Sequence, residues 1–301
     1  MSGVAGTRER AALVIGASGQ VGRTAAGALR DAGFRVTGTY ASTPRAGLVP
    51  LDLLDDGAVR ALVREVRPDV CVLSSALTHV DRCEDEPALA EALNARAPAV
   101  VAAACREVGG RVVHLSTEYV FDGTAGPYGE DDPPSPPCVY GATKLAGERA
   151  VLAASPANLA VRTTVVFSHD PAGKNFVMQL LARLGAGERM RVPADQLSSP
   201  TYAPDLGAAL AALAVRPEIA GVLNVVGPDV LDRVAFAIAA ARALGLDERL
   251  VEPVTTASLG QRARRPLRAG LRTDRLRALG ISLRGVDAAL ADFAQRLRAS
   301  A

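Results

Sequence analysis

One turn constrains this chain more than any other feature: Gly16-Ala-Ser-Gly19-Gln-Val-Gly22. It follows a short apolar run at 12–15, which reads as a buried strand. It opens a helical pattern over 21–32 that Gly33 ends. Glycines allow the tight turn and let backbone approach a pyrophosphate at a helix N-terminus, where N–H groups are free. With 28 glycines in 301 residues, three at this spacing arise by chance roughly 0.2 times per chain. Position, first in an α/β pattern, therefore carries the argument. A glycine turn used only for packing is the alternative.

The rest of the first half repeats the alternation. Residues 34–40 read as a second strand, 55–66 as a helix stopping before Pro68, and 70–73 as a further strand. Residues 87–108 form a long alanine-rich helix pattern, and 111–115 the next strand. The segment 121–138, rich in proline, glycine and acids, reads as a loop on a scaffold. A helix follows over 140–154, then a strand over 159–166. This predicts a Rossmann-type, doubly wound parallel sheet with helices on both faces. Residues 1–169 are expected to form the dinucleotide-binding domain. Residues 170–301 are expected to form a smaller, mostly helical substrate-binding cap, with segments such as 222–226 returning to the sheet.

Composition narrows the partners. The 34 basic and 32 acidic residues nearly cancel, so backbone-neutralising nucleic-acid binding is not expected. Cys71, Cys83, Cys105 and Cys138 form no C-x-x-C pair, and His79, His114 and His169 lack metal-ligand spacing. The histidines read as structural, with His114 facing the core. The apolar runs at 11–15 and 206–215 are too short for a signal-peptide core or a membrane span. The expectation is a cytoplasmic chain with no metal, no membrane and no nucleic acid; a homodimer is allowed.

Tyr140-Gly-Ala-Thr-Lys144 places a phenol and an ammonium on one helix face. With five tyrosines, and Lys144 and Lys174 the only lysines, this spacing arises by chance only about 0.03 times per chain. A cation beside the phenol favours the phenolate, which suits acid–base work near neutral pH. Ser116 and Thr117, at a strand's C-terminal end, are both candidates for the hydroxyl that polarises a carbonyl. The second strand ends in Tyr40-Ala-Ser-Thr-Pro-Arg45, without an acid. That absence, with Arg45 nearby, favours NADP(H) over NAD(H), although Arg45 also reads as a solvated loop charge. Asp52 reads equally as an adenine neighbour or a helix N-cap.

At these residues the chain resembles the extended short-chain dehydrogenase/reductases, and among them the dTDP-4-dehydrorhamnose reductase group. The matching stretches are GASGQVG, THVDRCEDEP, VVHLSTEYVFDG, VYGATKLAGE, GKNF, DQLSSPTYAPDL and RARRPLRAGL. The resemblance implies an NAD(P)H-dependent reductase of a nucleotide-activated keto-deoxysugar. Tyr140 is then the proton donor, Lys144 its tuner and a ribose ligand, and Thr117 the polarising hydroxyl. The implied cofactor site is Gly16, Ser18, Gly19, Gln20, Val21, Gly22, Arg45, Asp52, Leu53, Ser75, Ala76, Thr78 and Lys144. The implied substrate site is Val80, Glu118, Tyr119, Lys174, Asn175, Gln196, Thr201 and Arg265. Lys174-Asn175 reads otherwise as loop solvation, and Arg265 as a surface charge or a bidentate diphosphate ligand.

Departures lie around the sugar. The group's Asp after the threonine is Glu118, and its Asn-Ala-Ala run is Leu73-Ser-Ser75. Leu77 and Val165 stand where aromatics or histidine are usual, and Arg23-Thr24 replaces a metal-ligand acid. A 4,6-dehydratase needs two acids after the threonine, and only Glu118 is present. The remaining alternatives are a sugar-nucleotide epimerase and a non-catalytic NADP(H)-binding regulatory subunit.

Overall fold

The structure, a computed structural model, describes residues 9–42, 44–170 and 175–300. Strand β1 (Ala11–Ile15) leads through the glycine turn into α1 (Gln20–Asp31), then β2 (Arg35–Tyr40) and β3 (Leu48–Pro50). Helix α2 (Asp56–Val66) precedes β4 (Val70–Leu73), and α3 (Val80–Asp85) follows. Helices α4 (Pro87–Glu91) and α5 (Ala97–Glu107) are joined by a π-helical turn, Ala92–Arg96. Strand β5 (Arg111–Thr117), α6 (Val139–Ala154), β6 (Leu159–Thr163) and β7 (Val166–Phe167) complete the first part.

The second part runs α7 (Phe176–Gly185), β8 (Met190–Pro193), β9 (Leu197–Ser198), β10 (Thr201–Tyr202), α8 (Ala203–Ala214) and β11 (Gly221–Asn224). It ends with β12 (Leu231–Asp232), α9 (Arg233–Ala243), β13 (Val251–Val254), α10 (Asp274–Ala278) and α11 (Val286–Ala299).

Seven parallel strands form the main sheet in the order β11-β6-β5-β4-β1-β2-β3. This is the doubly wound Rossmann arrangement that the alternation predicts. Strand side chains alternate between two cores, as a pleated strand dictates. Ala12, Val14, Val70 and Val72 pack with α1 and α8 on one face. Leu13, Ile15, Cys71 and Leu73 pack with α2 and α5 on the other. Both faces are covered, so the central strands are apolar throughout.

A third core gathers Phe167, Tyr202, Phe236 and Phe293 between α7, α9 and α11. Three two-stranded pairs, β7 with β10, β9 with β12 and β8 with β13, bind this layer together. The expected helical cap thus carries more strand than the sequence shows. Residues 203–224 return to the first unit: α8 packs on α1, and β11 extends the sheet beside β6.

Two expected elements differ. The helix expected over 87–108 contains the π-turn. Pro98 has no N–H to give the carbonyl of Asn94, and the widened turn absorbs that break. By length and composition Pro87–Glu107 could also cross a membrane, but it packs here between α2 and α6. The strand expected over 159–166 breaks after Thr163. Val165 adopts φ +42°, a strained conformation for a β-branched residue, and redirects the chain to pair with β10.

Candidate active site

The glycine turn is built for close approach. A Cβ on Gly22 would lie 2.2 Å from the Gly16 carbonyl oxygen, and Gly16 itself has φ +89°. A Cβ on Gly16 would stand 3.0 Å from the Ser75 backbone nitrogen, so the turn faces the end of β4. Gly19 is the N-cap of α1 with no side-chain cap, and no acid lies in its first turn. These free N–H groups form an anion receptor. The residues fit a dinucleotide: cradle, helix N-terminus and β4 end converge, with Ser18, Gln20, Val21, Ser75 and Ala76 half-buried around them.

Other expected cofactor residues sit at the rim. Thr78 and Asp52 are exposed, Leu53 is buried and Arg45 is half-buried in the loop after β2. Asp52 accepts from the Leu54 N–H at 2.9 Å, whereas Asp55 caps α2 through the Ala58 N–H. The N-cap reading of Asp52 is therefore corrected to Asp55. Arg23 pairs with Asp170 at 3.0 Å.

The expected catalytic groups gather at the C-terminal end of β5. Ser116 donates to Glu148 at 2.8 Å, and Arg162 holds the same carboxylate at 2.6 Å. Ser116 is thereby engaged away from the cleft. Thr117 lies beside the Tyr140 phenol, donates to Glu118 at 2.7 Å and accepts from the Tyr119 N–H at 3.2 Å. Tyr140 is buried against Leu77, Cys83, Val80 and Tyr119, with the Tyr119 ring edge-on at 5.3 Å. The close approach needs Gly141, whose Cβ would meet the Tyr119 carbonyl at 2.1 Å.

Burial pushes the Tyr140 phenol up, Glu118 pushes it further, and the Thr117 hydroxyl pulls it down. The expected lowering by Lys144 is thus corrected for the chain by itself, where the phenol lies above its ordinary range. The Lys144 ammonium is turned inward. It donates to the Leu115 carbonyl at 2.6 Å and lies 3.3 Å from His114 Nε2. Burial lowers it from its ordinary 10.5 to about 8, against a raising effect of Glu148. Glu118 is buried and its carboxyl raised, although Thr164 and Thr117 donate to it. Tyr119 is pushed up to about 12 by burial and then by Glu118.

The expected substrate residues divide. Val80, Glu118 and Tyr119 surround Tyr140. Arg265 lines a cavity of about 560 Å³ with Arg264, Arg268, Thr256 and Asp122, and it pairs with Asp81 at 2.9 Å. Gln196 reaches this cavity through a bond to Thr256 at 3.0 Å. Thr201 is fully buried with its hydroxyl given to the Ser199 carbonyl, so it presents no surface to a ligand. Asn175 caps α7 and donates to Gln20 at 2.8 Å, tying the second part to α1. Lys174 lies outside the described residues.

Three residues were not found from sequence. Asn94, carried by the π-turn, bonds the backbone of Leu77 in both senses and reaches Thr143, between Tyr140 and Lys144. An Asn-Ala-Arg-Ala-Pro run inside a helical pattern was the available signal. His114 reads as a core histidine until its ring is seen against Lys144. Arg233, at the start of α9, lies over the Phe176 ring at 5.1 Å and acts electrostatically on Tyr119 and Glu118. It makes no ion pair with another described residue, and no local motif marks it.

The chain matches the RmlD substrate binding domain over residues 10–299. It is 39% identical over 275 residues to a dTDP-4-dehydrorhamnose reductase of Streptomyces griseus, covering 89% of this chain and 88% of the relative. A dTDP-4-dehydrorhamnose reductase of Mycobacterium tuberculosis is 41% identical over 220 residues, 71% of each chain. Among solved structures, a dTDP-4-dehydrorhamnose reductase from Bacillus anthracis in complex with NADP superposes with a TM-score of 0.87. It is 29% identical and covers 95% of this chain and 98% of its own. A Clostridium acetobutylicum counterpart reaches 0.88 at 31% identity, with 96% and 99% covered. By sequence over nearly its whole length and by fold, the chain belongs to the RmlD substrate-binding-domain family.

Proposed function

We propose that the chain is an NADPH-dependent reductase of the 4-keto group of a dTDP-activated 6-deoxyhexulose. The observation that carries this is a buried, neutral Tyr140 phenol beside Thr117, at the C-terminal end of the parallel strands, where the uncapped N-terminus of α1 also lies. The relatives of matching length are reductases of this kind. Arg45, with no acid at the end of β2, supports NADPH over NADH. Four free cysteines support a reducing cytoplasm.

When bound, NADPH supplies a hydride to the carbonyl carbon and leaves as NADP⁺. The chain does the rest. Thr117 and Tyr140 hold the ketone oxygen, and the electron pair released from the C=O bond takes the phenol proton. Lys144, one helical turn from Tyr140, has one ammonium proton left for a ribose hydroxyl. Arg233 and Arg265 supply cations for the diphosphate. The C=O bond becomes an alcohol, with one proton taken from Tyr140.

The test is a 340 nm assay with NADPH and a dTDP-4-keto-6-deoxyhexulose. Stoichiometric NADPH loss with formation of a 4-hydroxy sugar supports the reading. An isomeric ketone or sugar formed without NADPH loss identifies an epimerase. Tight NADPH binding with no turnover identifies a regulatory subunit.

A further inference from the structure

We infer that His114 is a positioning residue: its neutral imidazole accepts a hydrogen bond from the Lys144 ammonium and fixes which way the remaining proton of that ammonium points. The inference rests on Lys144 serving the cofactor site. His114 lies in the middle of β5, fully buried between β4 and β6. Its neighbours along the strand are Val112, Val113 and Leu115, an ordinary apolar core. Its Nε2 is 3.3 Å from Lys144 Nζ, and its Nδ1 has no hydrogen-bond partner among the described residues.

An ammonium has no lone pair, so Nε2 must be the acceptor and the ring proton must sit on Nδ1. That proton is then buried and unpaired, a cost that leucine at this position would avoid. The contact with Lys144 is what an imidazole adds here. Burial, and then Lys144 itself, hold His114 well below its usual range, so it contributes a lone pair and no charge. With Leu115 taking a second proton, the ammonium is held by two fixed acceptors and offers its third outward.

The charged groups around this pair are few. Glu148 on α6 acts on Lys144 and is itself neutralised by Arg162 of β6. Glu118, Tyr119 and Cys83 act on the neighbouring Tyr140. Removing the His114 acceptor takes away a hydrogen bond that favours the charged form of Lys144 over the neutral amine. The alkaline limit of function should therefore move to lower pH by about one unit in His114→Leu. His114→Gln, whose amide oxygen can accept, should restore most of that shift.

The experiment is NADPH affinity against pH, read by nicotinamide fluorescence, on wild type, His114→Leu and His114→Gln. It needs no sugar, so its failure is distinct from failure of the substrate assignment. A lowered alkaline limit in His114→Leu with recovery in His114→Gln supports the inference. Equal limits in all three chains, or an equal shift in both variants, overturns it. Should His114→Leu not fold, ¹⁵N-histidine spectra of the wild type decide. A non-titrating Nδ1–H tautomer between about pH 5 and 8 supports the inference, and an Nε2–H tautomer or a cation overturns it.

Discussion

Replacing Gly22 by alanine perturbs the cofactor cradle at its tightest point. The new methyl would sit 2.2 Å from the Gly16 carbonyl oxygen and 2.7 Å from Ser74 Oγ. Ordinary contact begins near 3.4 Å, so backbone must move by about 1 Å, since 3.4 less 2.2 is 1.2. Helix α1 is braced by α8 behind it, so the displacement falls on the turn. Overpacking of this kind costs about 1–3 kcal/mol. For a chain of this size that lowers the melting temperature by roughly 2 °C per kcal/mol. The larger effect is on anion binding. Misplacing two N–H donors loses about 3 kcal/mol, which raises the NADPH Kd by about 100-fold. Gly27→Ala, in the same helix with open space around its Cβ, is the control. It should leave Kd unchanged and stabilise by about 0.5–1 kcal/mol. Fluorescence titration and a thermal melt read both quantities. Gly22→Ala with wild-type Kd and melting temperature would refute the cradle.

Two further outcomes follow from buried charge. Arg162→Met should destabilise by about 3–5 kcal/mol by denaturant melt, because it leaves Glu148 buried and without its ion-pair partner. Lys144 is lowered from 10.5 to about 8, so between these values the unfolded chain binds the proton that the folded chain has lost. Ligand-free stability should therefore rise with pH across that window. Lys144→Met should be more stable than wild type at pH 7 and should lack the rise, as pH-dependent denaturant melts would show.

The sheet was legible because its signals are local. Each strand is a short apolar run, each helix has its own stop, and the Gly16 turn joins the first two. The Tyr140–Lys144 pair was legible for the same reason, being one helical turn. What the sequence hid depends on packing across the sheet. Lys144 points back to β5, so its inward hydrogen bonds to Leu115 and His114 follow from strand register rather than spacing. The upward push on Tyr140 comes from Glu118 and burial, which no i, i+4 argument contains. The substrate side was least legible. Thr201 and Asn175 match a motif by position, yet their polar atoms are used within the protein, while Arg233 is brought to Tyr119 from a distant helix. Val165 shows the same limit, since its strained turn is set by pairing of β7 with β10.

The most direct test of the account follows a label. NADPH dideuterated at the nicotinamide C4 is mixed with a dTDP-4-keto-6-deoxyhexulose and either wild type or Tyr140→Phe, and the sugar product is read by mass spectrometry and NMR. The account predicts one deuterium at sugar C4 with wild type, and a turnover lower by about 100-fold or more with Tyr140→Phe, which retains its NADPH affinity. Product without deuterium at C4, or near-wild-type turnover by Tyr140→Phe, would contradict it.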